Sequence, residues 1–210
     1  MLNLNKWLGA HRPVIFTIDR EHGTDAMKVA KRIADKLDIP VYDEQIIDLK
    51  LLESSVDPNC IKKDDTFLQG TIYDLYRENY SYSQEDFVAT DARFLANAKI
   101  LRDLAKDGAA VILGKCANYV LKGYDTFNVF LSCDETLRIE RLMARDHISQ
   151  QKARGELLKI DTRRKNHYQK YTGGQWGGPT DYDLIINTAY FDSDDVANVI
   201  LKCSALKHRQ

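Results

Sequence analysis

The chain has 210 residues, 44% of them hydrophobic, and 30 Lys and Arg against 31 Asp and Glu give a net charge of −1. That length fits one domain, the apolar content supplies a sizeable core, and the near-neutral balance excludes a chain that binds nucleic acid over its whole surface. Cys60, Cys116, Cys133 and Cys203 lie far apart with no C-x-x-C pair, which argues against a disulfide framework or a cysteine metal site, and no apolar run reaches the length of a membrane span. The expectation is a soluble cytoplasmic protein with reduced thiols and with neither a membrane nor a nucleic-acid partner; the oligomeric state stays open.

In chain order, Val14 to Ile18 is a run of apolar and β-branched residues and reads as a buried strand. A polar turn follows from Asp19 to Asp25, with Gly23 its only glycine. Ala26, Val29, Ala30, Ile33, Ala34 and Leu37 then recur at helical spacing. Strand, tight turn and helix form the frame of a phosphate-binding loop, because a helix N-terminus offers unpaired N–H groups and a partial positive charge to an anion. The usual G-x-x-x-x-G-K-[ST] signature is absent: where Gly-Lys-Ser/Thr would stand the chain has Asp25-Ala26-Met27-Lys28. Ile39-Pro40-Val41-Tyr42 reads as a short edge strand, and Asp43 as the cap of a helix from Glu44 to about Leu52. Residues 53–66 are polar and read as a loop. Phe67 to Tyr82 carries apolar residues at helical spacing, and its tyrosines read as half-buried surface aromatics, with a nucleoside pocket as the sharper alternative.

Gln84 to Lys106 is a long helical pattern, and Ala109 to Leu113 a second buried strand ended by Gly114. A short helix spans 115–122, Phe127 to Leu131 is a third buried strand, and Asp134 is placed to cap a helix running to about Arg145. After a loop at 146–149 come a long helix from about Gln150 to Tyr171, a glycine-rich turn at 173–179, a strand from Tyr182 to Asn187 and a closing helix from Phe191 to Ala205. The strands are uninterrupted apolar runs alternating with helices, the pattern of an α/β fold whose parallel sheet is covered on both faces. Ligands in such folds sit beyond the carboxyl ends of the strands, here Asp19–Thr24, Gly114-Lys115, Ser132-Cys133 and Asn187-Thr188.

Basic residues concentrate between 138 and 170, which suits a small anionic ligand better than a long polyanion. Arg138, Arg141 and Arg145 share one helix face and read as a solvated stripe. Asp161 and Arg164, three residues apart, form either a surface ion pair or an arginine fork toward phosphate with the carboxylate on a sugar hydroxyl. Two arginine-bearing helices with a loop between them suit a lid over a polyphosphate. The five histidines are scattered without ligand spacing, so no metal site is expected from them. His22 reads as an exposed turn residue before a phosphate contact, Cys116 as a buried small hydrophobe before a nucleophile, and Trp176 either caps the core or stacks on a base.

Taken together, these segments resemble the bacterial cytidylate kinase-like proteins, relatives of the P-loop nucleoside monophosphate kinases. The resemblance is carried by Thr17-Ile18-Asp19-Arg20-Glu21-His22-Gly23-Thr24, Ile39-Pro40-Val41-Tyr42-Asp43, Val111 to Leu121, Asp161 to Tyr168, Tyr171 to Gly177 and Tyr182 to Asn187. It implies a three-layer P-loop nucleotide kinase fold with a parallel five-stranded sheet. The whole chain, 1–210, would be a single kinase-like domain with its core at 14–42 and 96–210, a helical monophosphate-binding insertion at about 43–95 and a lid at about 145–165. The implied reaction moves the γ-phosphate of ATP, with Mg²⁺, to CMP or a related small phosphorylated acceptor. By position, His22, Gly23, Thr24, Asp25, Ala26, Met27 and Lys28 would bind the ATP phosphates, and Asp161 and Arg164 the acceptor nucleotide. Arg20, Lys115, Arg138 and Arg141 would be the catalytic cations, with Lys115 standing where the family usually has arginine.

Departures from the family pattern are concentrated in the loop. Asp25 and Ala26 replace the last two glycines of a Gly-Ser-Gly-Gly stretch, no lysine holds the phosphate-loop position, and Lys28 stands where a Ser or Thr would hold Mg²⁺, with Thr24 a displaced substitute. A carboxylate there repels a triphosphate, and a Cβ hinders close approach to the backbone. Lys28, Arg20 and Lys115 are the cations placed to compensate. The alternative function is therefore a catalytically impaired kinase fold that binds a nucleotide or protein partner without turnover.

Overall fold

The computed structural model describes residues 15–54 and 84–207, apart from the side chains of 84–92. Its five strands, β1 (Ile15–Arg20), β2 (Val41–Tyr42), β3 (Ala110–Leu113), β4 (Thr126–Ser132) and β5 (Leu184–Asn187), form one parallel sheet in the order β2-β3-β1-β4-β5. All six residues of β1 are buried, as its central place requires; Ile18 lies between Leu113 of β3 and Val129 of β4.

The side chains of the sheet alternate between two cores, which makes the architecture three-layered. Phe16, Ile18, Leu113 and Leu131 pack against Val29 and Ile33 of α1 (Ala26–Leu37) and Val196 and Ile200 of α7 (Ser193–Lys207). Ile15, Ile112 and Phe130 face the opposite side, where α3 (Gln84–Asp107), α4 (Ala117–Val120) and the end of α6 (Gln150–Thr172) contribute Leu101, Val120, Tyr168 and Tyr171. Burial of large side chains such as Phe16, Ile33 and Leu101 contributes about 1.5–3 kcal/mol each. The remaining helices are α2 (Glu44–Glu53) and α5 (Glu135–Asp146).

Both expected caps form. Asp43 accepts from the Ile46 N–H at 2.8 Å, and Asp134 from the Thr136 and Leu137 N–H groups at 2.8 and 3.4 Å. Elsewhere the boundaries move for tertiary reasons. β1 runs on through Asp19 and Arg20, past its apolar run, because both pair with β4 and their side chains find polar partners in Tyr182 and Glu44. The helix after β3 shrinks to four residues because Gly114, Lys115 and Cys116 all take left-handed backbone, at φ 74°, 56° and 53°. The loop expected at 53–66 lies largely, and the helical pattern at 67–82 wholly, outside the described residues. Among those described, no helix is long and apolar enough to cross a membrane.

Candidate functional site

The site grows from the carboxyl end of β1. Gly23 turns the loop at φ 82°, and a Cβ there would stand 3.1 Å from both the Cβ and the carbonyl oxygen of Arg138, so only glycine fits. Thr24 is buried and donates through its hydroxyl to the Glu21 carbonyl at 2.9 Å. Asp25 adopts φ 59°, the left-handed region that Asp and Asn tolerate best after Gly. Its carboxylate makes no cap; it accepts from Lys28 Nζ at 3.0 Å. Among the described residues the N–H groups of Gly23, Thr24, Asp25, Ala26 and Met27 donate to nothing. A row of free donors at the start of a twelve-residue helix is an arrangement able to accept an anion.

The cations of α5 and α6 close over this loop. Arg138 is buried: its Nε donates to the Cys133 carbonyl at 3.0 Å, and its Nη1 donates to the His22 carbonyl at 3.3 Å and to Asp161 Oδ2 at 2.5 Å. Asp161 Oδ1 accepts from the His22 N–H at 2.7 Å. The His22 ring stands 3.3 Å from Glu156 Oε1; burial, aided by the charge of Arg164, holds its pKa below the usual value, against the pull of Glu156. The solvated turn residue expected at position 22 is instead a half-buried link to α6. Arg141 donates to the hydroxyl and carbonyl of Thr188 at 3.1 and 2.8 Å. Of the expected solvated stripe only Arg145 remains exposed, paired with Asp146. The other two arginines turn inward because the carboxyl ends of β1 and β5 lie beneath them. Arg141, Thr188, Phe191, Asp25 and Lys28 wall a cavity of about 240 Å³ beside the loop.

A second cavity of about 350 Å³ opens on the other side of β1. On its wall Arg20 Nη2 pairs with Glu44 Oε1 at 2.9 Å, and Arg164 reaches the same oxygen at 3.7 Å and the Arg20 carbonyl at 3.2 Å. Arg20 Nη1 and Arg164 Nε are buried and have no partner among the described residues. Arg20, Lys115, Arg163 and Arg164 all line this cavity, and that excess of fixed positive charge suits an anion. Burial lowers the Arg164 pKa to about 10, with Arg20 adding to the shift and Glu44 opposing it. Burial pushes the Glu44 carboxyl up, but Arg20, Arg164 and Lys115 outweigh it and hold the group below its usual range. Gly114 passes under this pair, and a Cβ there would collide with the Arg20 guanidinium.

On the far wall Lys115 Nζ donates to Asp48 Oδ1 at 2.7 Å, and Arg93 meets the other Asp48 oxygen at 3.2 Å. The floor is Asp19, whose pKa is raised by burial although Arg20 pulls it down. Its Oδ2 accepts from Trp176 Nε1 at 2.9 Å and Tyr182 OH at 3.2 Å. Trp176 also packs edge-on against Phe130, so it caps the core and lines the cavity together. The Cys116 thiol is buried and its pKa pushed well up, chiefly by burial, as a small hydrophobe rather than a nucleophile.

Arg20, Lys115 and Arg164 therefore share one cavity, while Thr24, Asp25, Lys28 and Arg141 share the other. Asp161 lies between them, against the phosphate loop, and its expected neighbour Arg164 points the other way. Sequence patterns gave no sign of Glu44, Asp48 or Phe191 as site residues. Asp19 and Thr188 were marked only as strand ends. No group of three metal-ligating side chains occurs among the described residues. Mg²⁺ that accompanies a polyphosphate is held mainly by phosphate oxygens and water, which asks little of a protein; in this loop Thr24 and Asp25 carry the side-chain oxygens that could reach it.

A central parallel sheet in this order, with anion-binding groups at its carboxyl edge, defines the P-loop kinase α/β class. Solved structures agree on the fold. An uncharacterised protein from Eubacterium ventriosum superposes with a TM-score of 0.71 at 23% identity, covering 91% of this chain and 97% of its own. A gluconokinase from Sinorhizobium meliloti does so with 0.54 at 14% identity, covering 95% and 96%. The chain belongs to the cytidylate kinase-like family, whose pattern it matches over residues 15–190. A cytidylate kinase of Sulfolobus acidocaldarius is 26% identical over 91 residues, 43% of this chain and 50% of that protein, so the chain spans about half the length of the curated relative it matches.

Proposed function

We propose that the chain is a nucleotide kinase that carries the ATP γ-phosphate to CMP or a related small phosphorylated acceptor. The donor polyphosphate would lie on the free N–H groups of Gly23 to Met27, with its nucleoside toward Thr188 and Phe191. The acceptor would occupy the larger cavity, with its phosphate on Arg20 and Arg164. The observation that carries this reading is the cluster of cations Arg20, Lys115, Arg163 and Arg164 around one cavity, one strand-end away from a row of N–H groups without partners among the described residues.

Each group then has a task. Arg138 and Arg141, which reach the His22 and Gly23 carbonyls of the loop, would stand beside the transferring phosphoryl group, where fixed cations lower the barrier. Lys115, oriented by Asp48, faces the acceptor. Mg²⁺ would neutralise the donor's phosphoryl oxygens. Residues 43–95 act in this scheme as the acceptor-binding insertion and 145–165 as the lid.

A second reading has its own support. Asp25 puts a carboxylate at the cradle, Lys28 is tied to it, and Asp161 neutralises Arg138. These features fit a protein that binds a nucleotide without turnover. The deciding experiment follows ADP release from Mg-ATP with CMP, dCMP and the other monophosphates. Acceptor-dependent ADP formation supports the kinase; nucleotide binding without it supports the second reading.

A further inference from the structure

We infer that Asp161 is a built-in competitor for the donor phosphate, a carboxylate that holds the phosphate loop and Arg138 until a phosphoryl group displaces it. The inference rests on the reading of the loop as the donor site. Asp161 presents its two oxygens to two different donors of that loop region. Oδ1 takes the His22 main-chain N–H at 2.7 Å, and Oδ2 takes Arg138 Nη1 at 2.5 Å. A main-chain N–H at the turn plus a guanidinium from the overlying helix is the donor set that a phosphoryl oxygen uses, and a carboxylate has matching geometry and sign.

The surroundings make the contact more than a surface ion pair. The Arg138 side chain is only 8% exposed and that of Asp161 16%, so the pair is largely desolvated. Among the described residues Arg138 has one further acidic neighbour, Glu21 Oε1 at 3.7 Å, while the other Glu21 oxygen is engaged by the Cys133 N–H. Glu156, from the same helix as Asp161, adds a contact to the His22 ring at 3.3 Å. Two carboxylates of α6 thus latch onto one loop residue, one through its main chain and one through its ring. A polyphosphate on the N–H groups from Gly23 onward would meet the Asp161 carboxylate at the near end of the cradle, and two anions cannot share one guanidinium at full strength. Binding must move Asp161 off the loop, and the apparent affinity for the donor is reduced by the fraction of molecules in which the loop is held.

The carboxamide of Asp161→Asn keeps the volume of the side chain, but it loses the charge that holds Arg138 and repels phosphate, and its neutral oxygen accepts the His22 N–H more weakly than the carboxylate does. The test titrates the full-length protein with Mg-ATP and, to remove any effect of the base, with magnesium tripolyphosphate. Glu156→Gln serves as a comparison, and amide exchange at His22 is read in each variant without ligand to confirm that the fold is kept and the loop contact loosened. The expected result is about tenfold tighter binding of both ligands by Asp161→Asn, faster exchange at His22, and less than about twofold change in Glu156→Gln. Unchanged or weaker binding by Asp161→Asn, with the wild type binding normally, overturns the competitor role and leaves the donor site standing. Equal tightening by both variants also overturns it, since that is a general effect of charge. Binding by none of the three proteins overturns the competitor role together with the donor-site reading.

Discussion

Replacing Asp25 separates the two ways in which it departs from a phosphate loop. The residue sits at φ 59° with its carboxylate on Lys28 Nζ and about a quarter of its side chain exposed. Asp25→Asn keeps a residue tolerant of left-handed backbone and removes only the charge. Asp25→Gly removes charge and backbone strain together. At roughly 6 Å from a bound phosphate and an effective dielectric of about 40, like unit charges repel by about 1.4 kcal/mol, a tenfold factor in Kd. Freed from Asp25, Lys28 adds in the same direction. Relief of a left-handed Asp gives about 1 kcal/mol, and the larger entropy of an unfolded glycine takes back about half. Labelled-ATP anisotropy is therefore expected to show both variants binding Mg-ATP about tenfold more tightly. Thermal unfolding should show Asp25→Asn unchanged and Asp25→Gly raised by about 1–2 °C. Asp25→Asn binding Mg-ATP no more tightly than the wild type would refute the claim that this carboxylate opposes the donor.

Three further outcomes are expected. Arg20→Ala removes one wall of the acceptor clamp and should raise the acceptor KM at least about tenfold while leaving the Mg-ATP KM within about twofold, read in the ADP-release assay. Trp176→Phe deletes a donor to buried Asp19 and should cost about 1–2 kcal/mol, a fall of about 3–6 °C in Tm. Lowering the pH from 7.5 to 5.5 should destabilise the fold. His22 and His167, held low mainly by burial, protonate less readily folded than unfolded, so the stability they contribute is present above the ordinary histidine value of 6.5 and lost as the pH falls below it. Glu44 and Asp48, whose pKa values are lowered, act only at still lower pH, near and below their ordinary values of 4.5 and 3.8. Urea unfolding at the two pH values measures the loss, and His167→Gln should make it smaller.

Features governed by near neighbours in the chain were legible in the sequence. The buried strand before the loop, the amphipathic α1 and the caps at Asp43 and Asp134 all follow from local spacing and chemistry. The pairings that shape the site did not follow, because they join distant positions. Lys115 meets Asp48 across 67 residues, His22 meets Asp161 across 139, and Trp176 meets Asp19 across 157. No periodicity records such contacts. The stripe of Arg138, Arg141 and Arg145 shows the limit plainly: helical spacing put the three on one face, but only the position of α5 over the ends of β1 and β5 decides which are buried. Asp161 and Arg164 share a face in the same way, yet one carboxylate and one guanidinium serve opposite sides of the loop.

The division of the site into a donor cradle and an acceptor cavity is tested most directly by a crystal structure with CMP and a non-hydrolysable Mg-ATP analogue. The CMP phosphate should accept hydrogen bonds from the guanidinium groups of Arg20 and Arg164, and the analogue's polyphosphate from the N–H groups between Gly23 and Met27. A structure in which both ligands are ordered but CMP lies outside the cavity walled by Arg20, Lys115 and Arg164 would contradict it.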